Sequence, residues 1–273
     1  MKETKTLHND ALEMLKETSR TFFIPITYLP EKLKEAVTGA YLCMRAIDEI
    51  EDHPDLPAKD KSTLLQSISE VLNNNVSKEN LASLLQPYKN KLPEVSLRLY
   101  DWINVCPRES VPDVLGSTAT MGKGMAKWVD QDWKIRTKED LDEYTYYVAG
   151  LVGVMLSDLW KWFDDVETNK ELAIGFGRGL QSVNILRNRE EDLERGGVDF
   201  FPDGWEWDDM FSYARENLAL ADEYLESIDN EKIQHFCEIP LALAHATLDA
   251  LAEGKEKISR SDVHNIVNQV VNE

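Results

Sequence analysis

Apolar residues recur at steps of three and four along almost the whole chain, and this helical period constrains the fold more than any other feature. Leu33, Val37, Ala40, Met44 and Ile47 form one such run. Strand-type alternation of apolar and polar residues is absent over any useful length. The pattern therefore predicts an all-α fold of roughly eight to ten helices. The further predicted helices cover about 9–19, 61–73, 92–105, 111–129, 138–163, 168–194, 207–228, 230–253 and 260–271.

The breaks between these runs fall at proline and turn clusters, such as 53–57 and 201–204. We find neither an internal repeat nor a low-complexity linker in the 273 residues. Hydrophobic residues make up 42% of the chain, which is enough to bury a sizeable core. We therefore predict a single domain over residues 1–273.

The formal net charge of -20 makes nucleic acid a poor partner, because a polyanion is attracted to basic surface. The three cysteines are scattered in apolar contexts, which does not indicate a disulfide framework. The amino terminus lacks the pattern of a secretory signal, and no run of about 18 apolar residues could span a membrane. These features predict a cytoplasmic protein.

A first acidic cluster lies at the end of the run that contains Ile47. On a helix, residues three and four apart share a face, so Asp48, Glu51 and Asp52 converge, with Arg45 one turn earlier. Like charges at this spacing cost about 0.2–0.5 kcal/mol per pair unless a cation lies between them. Oxygen ligands without His or Cys indicate Mg²⁺ or a similar hard ion such as Mn²⁺. The alternative is a solvated helix end with Arg45 as an ordinary intrahelical partner.

A second stripe of oxygen-bearing side chains occupies one face of the predicted helix 168–194. Its members are Gln181, Asn184, Asn188 and then Glu191 or Asp192, with Arg187 beside them. Two helices that each carry an oxygen-rich stripe and an arginine suit a diphosphate, since metal ions bridge its oxygens and arginines bind the remaining charge. A charged surface helix is the alternative for this stretch alone.

A helix with two glycines lies between the clusters. Gly150 and Gly153 are three apart, and each costs about 1 kcal/mol relative to alanine inside a helix. They indicate either a close helix–helix crossing or a helix thinned so that a long apolar chain can lie against it. Tyr144 and Tyr147 could offer π-faces to a carbocation or a hydroxyl for proton transfer.

Several of these segments occur in an order that resembles a known family. In chain order they are Ser19-Arg20-Thr21-Phe22, 45–52, Tyr147-Val148-Ala149-Gly150-Leu151-Val152-Gly153, Asn184-Ile185-Leu186-Arg187, Gly196-Gly197-Val198-Asp199-Phe200-Phe201-Pro202 and Phe236-Cys237-Glu238-Ile239-Pro240. Together they resemble the squalene/phytoene synthase family, and most of all its squalene synthases. The resemblance extends over about residues 18–250. The membrane anchor of eukaryotic squalene synthases is not recognisable, which favours a soluble bacterial relative.

The resemblance implies a class I terpenoid (isoprenoid) synthase fold, a helical bundle around a central cavity. It also implies a Mg²⁺-dependent transferase of isoprenoid biosynthesis that condenses two farnesyl diphosphates head to head. The first product would be presqualene diphosphate. Hydride from NADPH, a candidate cofactor, would then give squalene, whereas proton loss would give dehydrosqualene.

The same resemblance assigns roles to individual residues. The metal ligands would be Asp48, Glu51, Asp52, Asn184, Asn188, Glu191 and Asp192, of which Asp48, Asp52 and Asp192 are also expected to be catalytic together with Tyr144. Substrate and its diphosphate would be bound by Ser19, Arg20, Phe22, Tyr41, Arg45, Gln181 and Arg187. The apolar channel would be lined by Phe22, Val148, Leu151, Val152 and Phe236.

Two positions depart from the family pattern. Asn188 stands where the second motif usually begins with Asp, which would weaken one metal ion and favours an alternative: a farnesyl diphosphate phosphatase that forms farnesol, or a terpene cyclase. Leu241 stands where squalene synthases tend to have Gln, so the expectation of NADPH use is weaker. A third hypothesis is a non-catalytic helical scaffold. We also expect a monomer or homodimer, and we expect tryptophans to make peripheral contact with membranes.

Overall fold

The all-α prediction is confirmed by the structure, a computed structural model that describes residues 2–272 and the side chains of residues 6–19, 21–194 and 197–271. Within residues 2–272 there are fourteen α-helices, more than the predicted eight to ten, and no strand. The chain forms two compact units, Met1–Asp132 and Trp133–Glu273. Each is described by itself, and the prediction of a single domain stays a prediction.

The first unit contains eight helices, and α3 and α4 pack against the helices that follow them. The helices are α1 (Lys2–Thr18), α2 (Arg20–Tyr28), α3 (Glu31–Glu51), α4 (Ala58–Asn74), α5 (Lys78–Leu85), α6 (Glu94–Leu97), α7 (Leu99–Val105) and α8 (Val111–Asp130). A 3₁₀ turn, Gln86–Tyr88, follows α5. Trp102 and Trp128 are fully buried in this unit. The Trp102 indole donates to the carbonyl of Val95 at 2.7 Å, so its polar atom is satisfied inside the core.

Helix α3 positions the first acidic cluster. Its apolar residues at three- and four-residue spacing, including Leu33, Val37 and Ile47, are buried against the rest of the unit. The helix ends at Glu51, and the Asp52 N–H donates to the Asp48 carbonyl at 2.8 Å. The cluster therefore occupies the last turn of a helix whose rotation is fixed by core packing.

The predicted helices of this unit differ from the structure at α6 and α7, and α2 and α5 were not predicted. The stretch 92–105 was predicted as one helix, but Arg98, with φ -100° and ψ 20°, separates α6 from α7. Helix α2 was not predicted, because Pro25 lies inside it. Ser19 makes this helix possible, since its hydroxyl caps the first turn by accepting from the Phe22 N–H at 2.9 Å.

The second unit consists of six helices, among which α11 packs against α10, α12 and α13. They are α9 (Lys138–Thr145), α10 (Leu151–Asp164), α11 (Lys170–Gly196), α12 (Trp207–Glu226), α13 (Glu231–Ala252) and α14 (Arg260–Asn272). The predicted helix 138–163 is interrupted by a π-helical turn, Tyr146–Gly150, between α9 and α10. Such π turns are frequent at functional sites. This turn lies in the segment that carries the tyrosines and glycines.

The glycines of this region serve a close crossing of α10 and the π turn with α11. A Cβ at Gly153 would overlap the carbonyl oxygen of Ala173, and a Cβ at Gly177 would overlap that of Ala149. Backbone therefore approaches backbone on both sides of the crossing. Of the two interpretations of the glycine spacing, the structure supports the close helix–helix crossing.

In the described part of the chain, every helix is too short or too polar to cross a membrane.

We expect Gly153→Ala to destabilise the protein by about 1–3 kcal/mol, because its methyl group would force α10 away from α11. Gly116→Ala in α8 is the matched control, since a Cβ there meets nothing within 4 Å. It should stabilise by about 0.5–1 kcal/mol, as alanine is the better helix former. Urea unfolding followed by circular dichroism measures both. Equal effects of the two substitutions would contradict the close crossing.

Candidate functional site

The acidic cluster of α3 brings together the three predicted carboxylates. One oxygen each from Asp48, Glu51 and Asp52 lies within 4.8 Å of the others. Opposite ligands of an octahedral Mg²⁺ are about 4.2 Å apart, so small side-chain adjustments would suffice to bind one. Glu51 is buried, with 4% of its surface exposed, Asp48 is half-buried and Asp52 is exposed. The cluster is therefore buried at Glu51 and open to solvent at Asp52, which fits a site for a hard divalent cation.

The position of the cluster makes its negative charge unfavourable without a counter-charge. The carboxyl end of a helix carries partial negative charge, and all three carboxylates lie in or next to the last turn of α3. Burial and the charge of Asp52 raise the pKa of Asp48 to about 7, although Arg45 opposes this shift. The site thus favours either a proton or a cation on Asp48.

Two cations lie beside the cluster. The Arg45 guanidinium pairs with Asp48 through one nitrogen and with Glu49 through another. Lys61 of α4 is buried, and its Nζ donates to the backbone carbonyl of Glu51 at 2.5 Å. Burial lowers the pKa of Lys61, whereas the charges of Glu51 and Asp52 raise it. Sequence reasoning found Arg45 by its helical spacing, but it missed Lys61, which only the packing of α4 on α3 brings close.

Three of the predicted substrate-binding residues lie close to one another. They are Ser19, Phe22 and Tyr41, and Tyr41 is one turn before Arg45 on α3. The Tyr41 hydroxyl donates to the Thr18 carbonyl at 3.2 Å, and its ring centroid lies 6.2 Å from that of Phe22. Ser19, buried, caps α2. The side chain of Arg20, also predicted to bind diphosphate, lies outside the described residues. Tyr41 of α3 therefore lies against the junction of α1 and α2.

The second stripe lies on α11 and is organised around Arg187. Its guanidinium donates to the side-chain oxygen of Asn184 at 2.7 Å and to that of Asn188 at 3.1 Å. Asn184 and Arg187 are exposed, whereas Asn188 and Asp192 are half-buried. The two remaining predicted members are Gln181, which is half-buried, and Glu191, which is exposed. The stripe thus combines amide and carboxylate oxygens with one exposed guanidinium.

The predicted catalytic tyrosine lies in an aromatic stack of the second unit. Tyr144 is buried, and its ring stacks on Phe200 with centroids 4.9 Å apart and planes 21° apart. Phe200 belongs to the segment between α11 and α12. The Tyr144 ring is thereby held in an apolar environment, which suits contact with a carbocation or an isoprenoid chain.

Arg189 anchors the segment that carries Phe200. Its guanidinium makes a bidentate pair with Asp199, at 3.2 and 2.7 Å, and lies 3.7 Å from the ring centroid of Phe201. Asp199 also accepts from the Phe201 N–H at 3.1 Å. Sequence reasoning assigned no role to Arg189, although the motif at 196–202 gave a signal that this segment matters. The bidentate pair fixes the backbone next to the Tyr144 stack.

The residues predicted to line an apolar channel have mixed surroundings. Leu151 and Phe236 are buried, and Phe236 packs edge to face on Trp160 with centroids 5.4 Å apart. Val148 and Val152 are half-buried. The channel itself stays a prediction.

The sequence of this chain matches known proteins. A family model described as Squalene/phytoene synthase matches residues 15–205. The squalene synthase of Schizosaccharomyces pombe is 29% identical over 270 residues, which cover 88% of this chain and 58% of that protein. The squalene synthase of Homo sapiens is 31% identical over 268 residues, which cover 86% of this chain and 61% of that protein. The chain thus spans about three fifths of the length of these relatives.

The structure is similar to that of TcSQS, which was solved with the ligand BPH1237. The TM-score is 0.76 with 25% sequence identity, and the match covers 96% of this chain and 85% of that chain. This agreement confirms the predicted terpenoid synthase fold.

The raised pKa of Asp48 predicts a pH dependence of the metal-free protein. Between about pH 4 and 7 the folded state keeps a proton that the unfolded state has released, so stability falls as pH rises. Asp48→Asn removes the titrating carboxyl group and therefore this part of the pH dependence. In urea unfolding with a chelator present, we therefore expect the wild type to lose stability relative to Asp48→Asn from pH 5 to pH 8. Parallel pH profiles of the two proteins would contradict the assignment.

Proposed function

The chain belongs to the squalene/phytoene synthase family, and from that premise we propose that it is a Mg²⁺-dependent head-to-head prenyltransferase. Its substrate would be farnesyl diphosphate or a similar prenyl diphosphate. The observation that carries the proposal is the acidic cluster, whose three carboxylates lie close enough to share one hard cation. We propose that the cluster on α3 and the stripe on α11 each bind diphosphate through metal ions.

The donor set fits a divalent cation of this kind. Asp48, Glu51 and Asp52 offer only oxygen, and the raised pKa of Asp48 indicates that burial and the charge of Asp52 outweigh the charge of Arg45. When bound, Mg²⁺ would supply neutralisation of the charge that develops on the departing diphosphate. Asn184, Asn188, Glu191 and Asp192 of α11 are proposed as further ligands.

The arginines of the chain would bind the diphosphate directly. Arg187 is exposed, and its guanidinium already lies against two amide oxygens, which would orient it towards a phosphate. Arg45, between Asp48 and Glu49, would do the same from α3. Ser19, Arg20 and Tyr41 would extend this polar surface, and Gln181 would extend that of α11. Such fixed donors stabilise a leaving group without reorganisation.

Ionisation would leave an allylic farnesyl cation. The double bond of a second farnesyl diphosphate would attack it, and loss of one proton would close the cyclopropane of presqualene diphosphate. Tyr144 is proposed to contribute at this stage, because its ring and hydroxyl lie in a buried aromatic stack. A dry pocket would prevent water from quenching the cation first.

The second ionisation would end in squalene or in dehydrosqualene. Squalene requires hydride from NADPH, and the described residues give no support for a nicotinamide site. Leu241, which stands where squalene synthases tend to have Gln, is buried. Proton loss would give dehydrosqualene without a nicotinamide cofactor.

A second candidate function rests on Asn188. An uncharged amide at this position would hold a cation less tightly than a carboxylate, and its oxygen accepts a hydrogen bond from Arg187. With one ion held weakly, a single farnesyl diphosphate could ionise and be quenched by water to farnesol, or cyclise.

We also propose a cytoplasmic location, with peripheral membrane contact for the apolar product, and a monomer or homodimer.

The main test is product analysis by gas chromatography–mass spectrometry after incubation with farnesyl diphosphate and Mg²⁺, with and without NADPH. We expect a C30 product from the wild type and a loss of about 10²-fold or more in turnover for Asp52→Asn, because a charge-stabilising group is removed. Glu70→Gln, an exposed carboxylate on α4, is the matched control. Absence of any C30 product would refute the head-to-head proposal.

Asn188→Asp tests the second candidate function. If the amide limits metal binding, the restored carboxylate should raise the ratio of C30 product to farnesol several-fold at limiting Mg²⁺. Asn265→Asp, on the exposed face of α14, adds the same charge elsewhere and should leave the ratio unchanged. An unchanged ratio in Asn188→Asp would remove the rationale for the phosphatase or cyclase.

A further inference from the structure

We propose that Lys61 is a positioning residue of the acidic cluster: it is the built-in counter-charge that holds the end of α3 and its carboxylates together before a metal binds. The proposal rests on the proposed metal site of Asp48, Glu51 and Asp52. It goes beyond that site because Lys61 lies on a different helix and is not a ligand.

The surroundings of Lys61 are unusual for a lysine. Only 7% of its surface is exposed, whereas lysines are almost never buried unless they are paired. Its Nζ donates to the Glu51 carbonyl at 2.5 Å. Burying an ammonium group costs free energy that its partners must offset. The burial of Lys61 therefore indicates a specific electrostatic role.

The hydrogen bond of Lys61 is made at the end of a helix. The last four carbonyls of a helix lack partners within it and carry partial negative charge. At the end of α3, the Asp52 N–H satisfies the Asp48 carbonyl, and Lys61 satisfies that of Glu51. A lysine at this position stabilises the last turn of the helix.

Lys61 and Arg45 serve different sides of the cluster. Arg45 pairs with Asp48 and with Glu49, which lies outside the cluster. Lys61 instead lies at Glu51, where its Nζ donates to the backbone carbonyl. Glu51 is the most buried of the three carboxylates, so its charge is the least screened by water. The counter-charge is therefore located where the repulsion is strongest.

The connection between α3 and α4 adds a geometric role. Asp52 follows the last residue of α3, and residues 52–57 lead to the start of α4 at Ala58. Lys61 belongs to the first turns of α4, so its bond to Glu51 ties the two ends of this connection together. Asp52 is the first residue of this connection, and its N–H bonds the Asp48 carbonyl, so its backbone is tied to the end of α3.

A counter-charge of this kind has two opposite effects. Without metal, it reduces the repulsion among the carboxylates and stabilises the fold. With metal, it competes for the same negative charge and weakens binding. Removing the charge of Lys61 should therefore lower the stability of the metal-free protein and strengthen its response to Mg²⁺.

The experiment compares Lys61→Gln, which keeps a hydrogen-bond donor but loses the charge, with Lys61→Arg, which keeps both. Lys59→Gln is the matched control, because Lys59 is exposed one half-turn earlier on the same helix. Melting midpoints are measured with a chelator and with saturating MgCl₂, and Mg²⁺ binding is measured by titration calorimetry. None of these readouts requires turnover.

We expect Lys61→Gln to lower the metal-free midpoint by about 4–8 °C. Its Mg²⁺ affinity should rise roughly fivefold. This is the effect expected from removing the repulsion between one positive charge and a divalent ion about 8 Å away in a water-like dielectric. Lys61→Arg and Lys59→Gln should behave like the wild type. Recovery by Mg²⁺ of a Lys61→Gln protein that is unfolded without metal would also support the proposal.

The proposal is overturned if Lys61→Gln and Lys59→Gln respond to Mg²⁺ alike, or if Lys61→Gln stays unfolded at saturating Mg²⁺. In the second case the lysine would serve the fold and not the cluster. A wild type that shows no Mg²⁺ response would instead refute the metal site, and the role of Lys61 with it.

Discussion

Repulsion among the carboxylates at the carboxyl end of α3 is the interaction on which the candidate site depends. Three acidic side chains share the last turn of a helix whose own dipole already disfavours them. Arg45 pairs with Asp48, and Lys61 bonds the backbone carbonyl of Glu51, so a positive charge lies beside each of these residues. A site built in this way would be stable enough to fold and would still attract a divalent cation, which agrees with the proposed metal site.

The aromatic part of the candidate site depends on a different constraint, the approach of two backbones. Because Gly153 and Gly177 lack side chains, α10 and the π turn can lie against α11. Arg189 of α11 then anchors the segment that carries Phe200 on Tyr144. Helix crossing and ion pair together hold the tyrosine in an apolar environment, where a carbocation would meet few competing nucleophiles.

Asn188 distinguishes this chain from the usual pattern of its family. In the structure its side-chain oxygen accepts from Arg187, which also binds Asn184. The stripe on α11 therefore combines two amides with two carboxylates, whereas the cluster on α3 consists of three carboxylates. The two sets of proposed ligands are chemically unequal, and this inequality is the physical reason to consider products other than a C30 hydrocarbon.

The sequence by itself determined the helical class and the convergence of Asp48, Glu51 and Asp52, because both follow from a period of 3.6 residues within one helix. It also determined the family, through the order of its motifs. Only the tertiary structure decided that Lys61 bonds the end of α3, that the glycines serve a helix crossing, and that α9 and α10 are separated by a π turn. These features arise between helices, where packing sets the distances and no local period in the sequence records them.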